Sequence, residues 1–271
     1  MGVLFGTDGV REVANTRLTP ELAFRLGRAG AAIARSRNKG RPLLVVGGDT
    51  RRSTGMLEAA VVAGITSAGV DAARAGILPT PAVAYLTRAL GADAGVVVSA
   101  SHNPAEYNGI KFFGPDGFKL ADELEGMIEA RALTAGGGDM GAATWGEADG
   151  LPRPQGTGVG VVSDIVDPVD MYVRFAVGMA RRRLDGLHVV IDCANGASSR
   201  TSPAAFQALG AKTTVINDSP SGDNINIRCG STHPEALQEA VSELGADLGF
   251  AHDGDADRVM AVDSDGNVVD G

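Results

Sequence analysis

Residues 253–258 read "DGDADR", three carboxylates at alternate positions closed by an arginine, directly after the run "LGFAH" at 248–252. In a straight strand alternate side chains share one side, yet Asp253 and Asp257 would stand roughly 13 Å apart. A small divalent cation with oxygen bonds of about 2.1 Å needs such groups to converge. The backbone must therefore curl, which the small spacers Gly254 and Ala256 permit. A calcium EF-hand is excluded: counted from Asp253, the sixth residue is Arg258 instead of Gly and the twelfth is Ser264 instead of Glu. Three acidic ligands and few others suit Mg²⁺ better than Ca²⁺. Arg258 suits a metal that also touches an anion; the plain alternative is a solvated acidic turn.

A second stretch, "VVVSASHNP" at 96–104, leaves an apolar strand through two serines, a histidine and an Asn-Pro break. Sharp turns at the C-terminal ends of parallel strands are where α/β proteins place ligands. Ser99, Ser101 and Asn103 could do no more than hydrogen-bond the turn backbone. The hydrolase elbow Gly-x-Ser-x-Gly is absent around Ser101. What remains is a hydroxyl that carries phosphate, a group that adds up to about two negative charges and needs cations beside it. Arg11, closing "FGTDGVR", and Lys111, in "NGIKFFG", are candidate cations. In "GGDTRRS" at 47–53, Asp49, Arg51 and Arg52 read as support for the site.

Hydrophobic periodicity gives the helices and strands that carry these groups. Thr19-Pro20 is an N-cap with proline at the first helical position, and Leu22, Leu26, Ala29 and Ile33 share a face. Strand 43–48 follows, then a helix capped by Ser53 with Leu57, Val61 and Ile65 on one side, a helix over 81–90 and a strand over 95–100. A Gly- and Pro-rich stretch at 135–160 reads as a linker or long loop. Its Gly-x-Gly-x-Gly follows no strand, so a dinucleotide site is not indicated. A second alternation has helices near 167–183, 202–209 and 234–244, with strands at 188–192, 213–218 and 248–253. After Asp257 the pattern becomes a β-hairpin around an Asp-Gly turn, with no evident body to join. The fold class is α/β: two consecutive α/β domains with mixed, largely parallel sheets. The expected boundaries are 1–158, 159–256 and a further segment 257–271.

A chain of 271 residues accommodates about two domains, and its 44% hydrophobic and 21% charged residues are those of an ordinary globular protein. With 24 basic against 33 acidic residues its net charge is −9, which argues against non-specific nucleic-acid binding. Cys193 and Cys229 are expected to be reduced and structural. No signal-peptide pattern and no apolar run of about 20 residues is evident, so the expected location is cytoplasmic, away from membranes.

Taken together, "LFGTDGVR" (4–11), "GGDTRRS", "SASHNPAEYNGIKFFGPDGFKL" (99–120), "IDCANGAS" (191–198), "GDNINIRCGSTH" (222–233) and "DGDADRVMAVDSDG" (253–266) resemble the α-D-phosphohexomutase family along essentially the whole chain. "NGIKFFG" and "CGSTH" favour the branch acting on glucosamine phosphates over those acting on mannose or glucose phosphates. The resemblance implies that Ser101 is a phosphoserine and that Asp253, Asp255, Asp257 and its phosphoryl oxygen hold one Mg²⁺. It implies that Arg11 and Lys111 assist phosphoryl transfer, that Arg258 closes the metal loop, and that His102 and Asn103 shape the serine turn. The implied reaction interconverts glucosamine 6-phosphate and glucosamine 1-phosphate through a 1,6-bisphosphate, with glucosamine or glucose 1,6-bisphosphate as activator. The implied partner is a small-molecule sugar phosphate, with no nucleic acid and no membrane, and a homodimer is left open. Family members have four domains, so the resemblance also implies that this chain stops in the opening of the third and does not act as a mutase alone. The rival readings are a phosphomannomutase or phosphoglucomutase of the same family, a phosphatase-like half-enzyme, and a non-catalytic metal-binding fragment.

Overall fold

Thr19 accepts a hydrogen bond from the amide of Leu22 and Pro20 occupies the first turn, so the first helix starts where its cap dictates. The structure, a computed structural model, describes residues 4–6, 9–38, 40–134, 151 and 153–269. The first domain holds strands β1 (Phe5–Gly6), β2 (Gly9–Val13), β3 (Leu43–Gly48), β4 (Asp71–Ile77), β5 (Ala94–Val98), β6 (Tyr107–Phe113) and β7 (Val162–Asp164). Its helices are α1 (Pro20–Arg37), α2 (Thr54–Ser67), α3 (Thr80–Ala89) and α4 (Asp122–Thr134). Among the described residues the sheet order is β1-β2-β6-β5-β3-β4-β7. β5, β3, β4 and β7 pair in parallel, while β6 returns antiparallel between β5 and β2. Residue alternation then sorts the core. Leu44, Val46, Val96 and Val98 pack with α1, α2 and α4, whereas Val45 and Val97 pack with α3.

The second domain holds α5 (Pro168–Met179), β8 (His188–Asp192), α6 (Ser202–Ala208), β9 (Lys212–Ile216), α7 (Glu235–Leu244), β10 (Leu248–His252), β11 (Val259–Val262) and β12 (Val268–Val269). Its sheet order is β12-β11-β10-β8-β9, with β10, β8 and β9 parallel. Val190 and Ala251 face Leu237 and Val241 of α7. Val189 and Ile191 face the α6 side, where Phe206 stacks on Phe250 at 5.3 Å. Two α/β domains with mixed, largely parallel sheets are thus present, as the alternation predicts.

Several details differ from the sequence reading. The boundaries expected at 158/159 and 256/257 do not coincide with the sheet edges. β7 runs beside β4 of the first sheet, and Val169 and Tyr172 of α5 pack against that domain's core. The hairpin after Asp257 has a body after all: β11 pairs antiparallel with β10 along four registers. Ser53 sits before α2 without capping it, because its hydroxyl accepts a hydrogen bond from Asn108 at 2.9 Å. β4 escapes the periodicity because "DAARAGI" is built of small residues and charges. The stretch expected as a linker at 135–160 lies largely outside the described residues; its described end makes one 3₁₀ turn at Gly156–Gly158. Among the described residues no helix is long and apolar enough to cross a membrane.

Helices α1 and α2 approach backbone to backbone. A Cβ at Gly64 would lie 2.2 Å from the Phe24 carbonyl oxygen, and one at Gly27 2.4 Å from that of Val61. Gly64→Ala is therefore expected to lower stability by about 1–3 kcal/mol through overpacking, although alanine is the better helix former. Urea denaturation checks this; equal or higher stability would mean that the helices separate freely.

Candidate active site

Strand β5 ends at Val98, and the next residues form a turn in which Ser101 adopts a left-handed φ of +54°. That region is unfavourable for a residue with a Cβ, so the turn must be held from outside. Ser99 does the local work: its hydroxyl accepts the Ser101 amide at 2.9 Å and donates to Asp49 Oδ2 at 2.6 Å. Arg51 donates to the carbonyls of Ser101 and Asn103, each at 2.8 Å, and to that of Pro104. Asn226 of the second domain bonds the same Ser101 and Asn103 carbonyls at 2.9 and 3.2 Å. The buried Arg51 is neutralised by Asp49 at 2.9 Å. Burial raises the pKa of Asp49, opposed by Arg51 and by the Ser99 and Thr54 hydroxyls. The Ser101 hydroxyl takes no part in holding the turn. It is fully buried and donates to Asp253 Oδ2 at 2.5 Å.

Asp253, Asp255 and Asp257 follow β10 and curl as their spacing requires, with Ala256 at a φ of +54°. One carboxylate oxygen of each lies within 4.8 Å of the others. Gly254 lets this loop meet the serine turn, since a Cβ there would stand 2.7 Å from the Ser101 carbonyl oxygen. The Arg258 amide donates to Asp253 Oδ1 at 3.2 Å. Asp255 Oδ2 accepts from Thr80 Oγ1 at 2.6 Å and from Lys111 Nζ at 3.2 Å. Lys111 also lies 3.5 Å from Asp257 Oδ2. Asp255 Oδ1, by contrast, is buried without a hydrogen-bond partner among the described residues. Burial, followed by the charge of Asp255, holds the Asp253 carboxyl well above the usual range. For Asp255 burial acts the same way, but Lys111 and Thr80 outweigh it and its pKa falls. Crowded carboxylates with one orphaned buried oxygen fit a small divalent cation adjoining the Ser101 hydroxyl.

The remaining sequence candidates gather around these two loops to different degrees. His102 Nδ1 stands 3.5 Å from Ser101 Oγ. Its pKa is lowered by burial and by the charges of Arg258 and Arg11, so two arginines project positive potential over the serine turn. Arg11 lies on β2 in register with Gly109. Asn103 enters through its carbonyl. The Arg258 side chain is 57% exposed, with its Nε 4.0 Å from Asp257 Oδ1. Arg52 is remote from the serine chemistry and instead pairs across the domains with Asp223. Thr80, Asn226 and Thr50, whose hydroxyl donates to the Asn195 carbonyl at 2.6 Å, are absent from the sequence reading. Thr80 lies in "PTP" at 79–81, Asn226 in "NIN" at 224–226 and Thr50 in "GGDTRRS" at 47–53, and none of these stretches names a partner.

Residues 2–136 match the family model described as phosphoglucomutase/phosphomannomutase, alpha/beta/alpha domain I, and residues 169–266 match domain II of the same family. The chain is 56% identical over 271 residues to a phosphoglucosamine mutase from Desulforudis audaxviator, covering all of this chain and 57% of that protein. It is 56% identical over 272 residues to one from Mycolicibacterium paratuberculosis, covering all of this chain and 58% of that protein. The chain therefore spans a little over half the length of these curated relatives. A phosphoglucomutase/phosphomannomutase family protein from Burkholderia thailandensis superimposes with a TM-score of 0.81 at 28% identity, over 98% of this chain and 56% of that one. N-acetylphosphoglucosamine mutase from Aspergillus fumigatus, solved with GlcNAc-6P and magnesium, gives 0.51 at 16% identity over 98% and 51%, a likeness of fold alone.

The raised pKa of Asp253 has a stability consequence in the absence of a cation. Its contribution is fully present below the unfolded value near pH 4 and is lost as pH rises through the higher folded value. Asp253→Asn removes that titration. In chelator, the melting temperature of the variant relative to the parent is expected to rise between about pH 5 and about pH 8. A difference that stays constant or shrinks over that range would contradict the burial of this charge.

Proposed function

Since the chain belongs to the phosphoglucomutase/phosphomannomutase family, we propose that it carries the phosphoryl-transfer centre of a phosphoglucosamine mutase. The observation that carries this reading is the hydrogen bond from the buried Ser101 hydroxyl to Asp253, one of the three converging carboxylates. A serine so placed has little to do as a structural group, because Ser99 already fastens the turn. As a phosphate carrier it stands against a cation site on one side and under the field of Arg11 and Arg258 on the other.

In this reading Ser101 gives its phosphoryl group to the free hydroxyl of a glucosamine monophosphate. The resulting 1,6-bisphosphate turns over, and its other phosphate returns to Ser101. Phosphoryl transfer is mainly positioning and charge neutralisation. Asp253, Asp255 and Asp257 would hold Mg²⁺, which when bound draws charge from the phosphoryl oxygens. Lys111, buried between Asp255 and Asp257, offsets part of the loop's negative charge and offers a cation to the transferring group. Arg11 and Arg258 attract the anionic substrate, and His102, whose pKa is lowered by burial and then by those charges, lines the serine turn. Asn103 fixes the turn through its carbonyl. The identity of 56% to phosphoglucosamine mutases supports a glucosamine phosphate as the sugar.

Mass spectrometry after incubation with glucose 1,6-bisphosphate and Mg²⁺ tests the proposal. Phosphate is expected on Ser101, and Ser101→Ala is expected to remain unmodified with its melting temperature close to the parent's. Phosphate on Ser99, or none on the parent, would overturn the assignment.

A further inference from the structure

We infer that Thr80, a residue of the first domain outside the acidic loop, selects which oxygen of Asp255 faces the cation and thereby sets the Mg²⁺ affinity of the site. The inference rests on the reading of Asp253, Asp255 and Asp257 as the metal site. The two oxygens of Asp255 differ sharply. Oδ2 accepts both Thr80 Oγ1, at 2.6 Å, and Lys111 Nζ, at 3.2 Å. Oδ1 is buried with no partner among the described residues. A carboxylate is held in one rotation when one oxygen is saturated, and the other is then presented to whatever cation enters. Ligand orientation by such outer hydrogen bonds is a general determinant of metal affinity.

Thr80 is suited to this by its own rigidity. It lies between Pro79 and Pro81, which restrict the backbone on both sides. It opens α3, its amide donates to the Asp255 carbonyl at 2.9 Å, and its side chain is buried. Branching at Cβ limits χ1, so the hydroxyl has few other places to go. Lys111 does not replace it, because that ammonium is shared with Asp257 at 3.5 Å. Without the Thr80 hydroxyl the Asp255 carboxylate is free to turn toward Lys111 with either oxygen. The first domain would therefore orient a carboxylate that the second domain supplies to the metal site.

Calorimetric titration of the whole chain with Mg²⁺ alone tests this. Thr80→Val keeps the shape and the backbone bond and removes only the hydroxyl; Thr80→Ser keeps the hydroxyl. Valine is expected to weaken Mg²⁺ binding roughly 10-fold or more, with serine restoring parental affinity. If the valine variant does not fold, Thr80→Ala removes the same hydroxyl and decides. Parental affinity in the valine variant alongside loss in Asp255→Asn would overturn the role of Thr80 and leave the metal site standing. Equal weakness of serine and valine would also overturn it, since packing would then explain both. Parental affinity in Asp255→Asn would remove the metal-site reading and this inference with it.

Discussion

Like charges brought together out of water set the terms for this protein. Three carboxylates present oxygens within 4.8 Å of one another, and Asp253 and Asp255 are almost fully buried. At an effective dielectric constant of about 20, two unit charges about 4 Å apart repel by roughly 4 kcal/mol. The surroundings answer that repulsion group by group: Lys111 between Asp255 and Asp257, the Thr80 hydroxyl on Asp255, and the Ser101 hydroxyl and Arg258 amide on Asp253. One proton-like stabilisation is still missing, as the raised pKa of Asp253 records. In the proposed reading a divalent cation would supply it and turn the same crowding into an asset.

The second constraint is that neither domain owns the site. The serine turn belongs to the first sheet and the acidic loop to the second, and each is held by residues of the other. Asn226 grips the carbonyls of Ser101 and Asn103 from the second domain. Thr80 and Lys111 reach Asp255 from the first. Close approach of the two domains depends on glycine at the contact: a Cβ at Gly254 would stand 2.7 Å from the Ser101 carbonyl oxygen. Farther out, Arg52 pairs with Asp223 and donates its amide to Gly222 at 3.0 Å. Serine and carboxylates thus meet across a packed, hydrogen-bonded seam.

Much of this was legible in the sequence because chemistry and period coincide there. "DGDADR" announces converging acids, since small spacers permit the curl that a cation demands, and the loop does curl at Ala256. Strand 43–48 reads correctly because it is apolar and bounded by glycines and a turn. What escaped depended on tertiary partners. Ser53 has the residue type of a cap, but Asn108 from β6 claims its hydroxyl. The hairpin after Asp257 appears stranded in sequence, and only the free edge of β10 shows where it joins. Thr80 looks like the start of a helix, and nothing local reveals that its hydroxyl lies on an aspartate 175 residues away.

In the proposed reading a phosphoryl group on Ser101 and a cation on the three aspartates occupy adjoining places. Phosphorus NMR of the Ser101-phosphorylated chain, titrated with Mn²⁺ as a paramagnetic stand-in for Mg²⁺, measures that adjacency directly. The phosphoserine resonance should broaden strongly at substoichiometric Mn²⁺, recover when Mg²⁺ is added in excess, and stay sharp in Asp255→Asn at the same Mn²⁺ concentration. A resonance in the parent that remains sharp while Mn²⁺ is bound would place the cation away from Ser101.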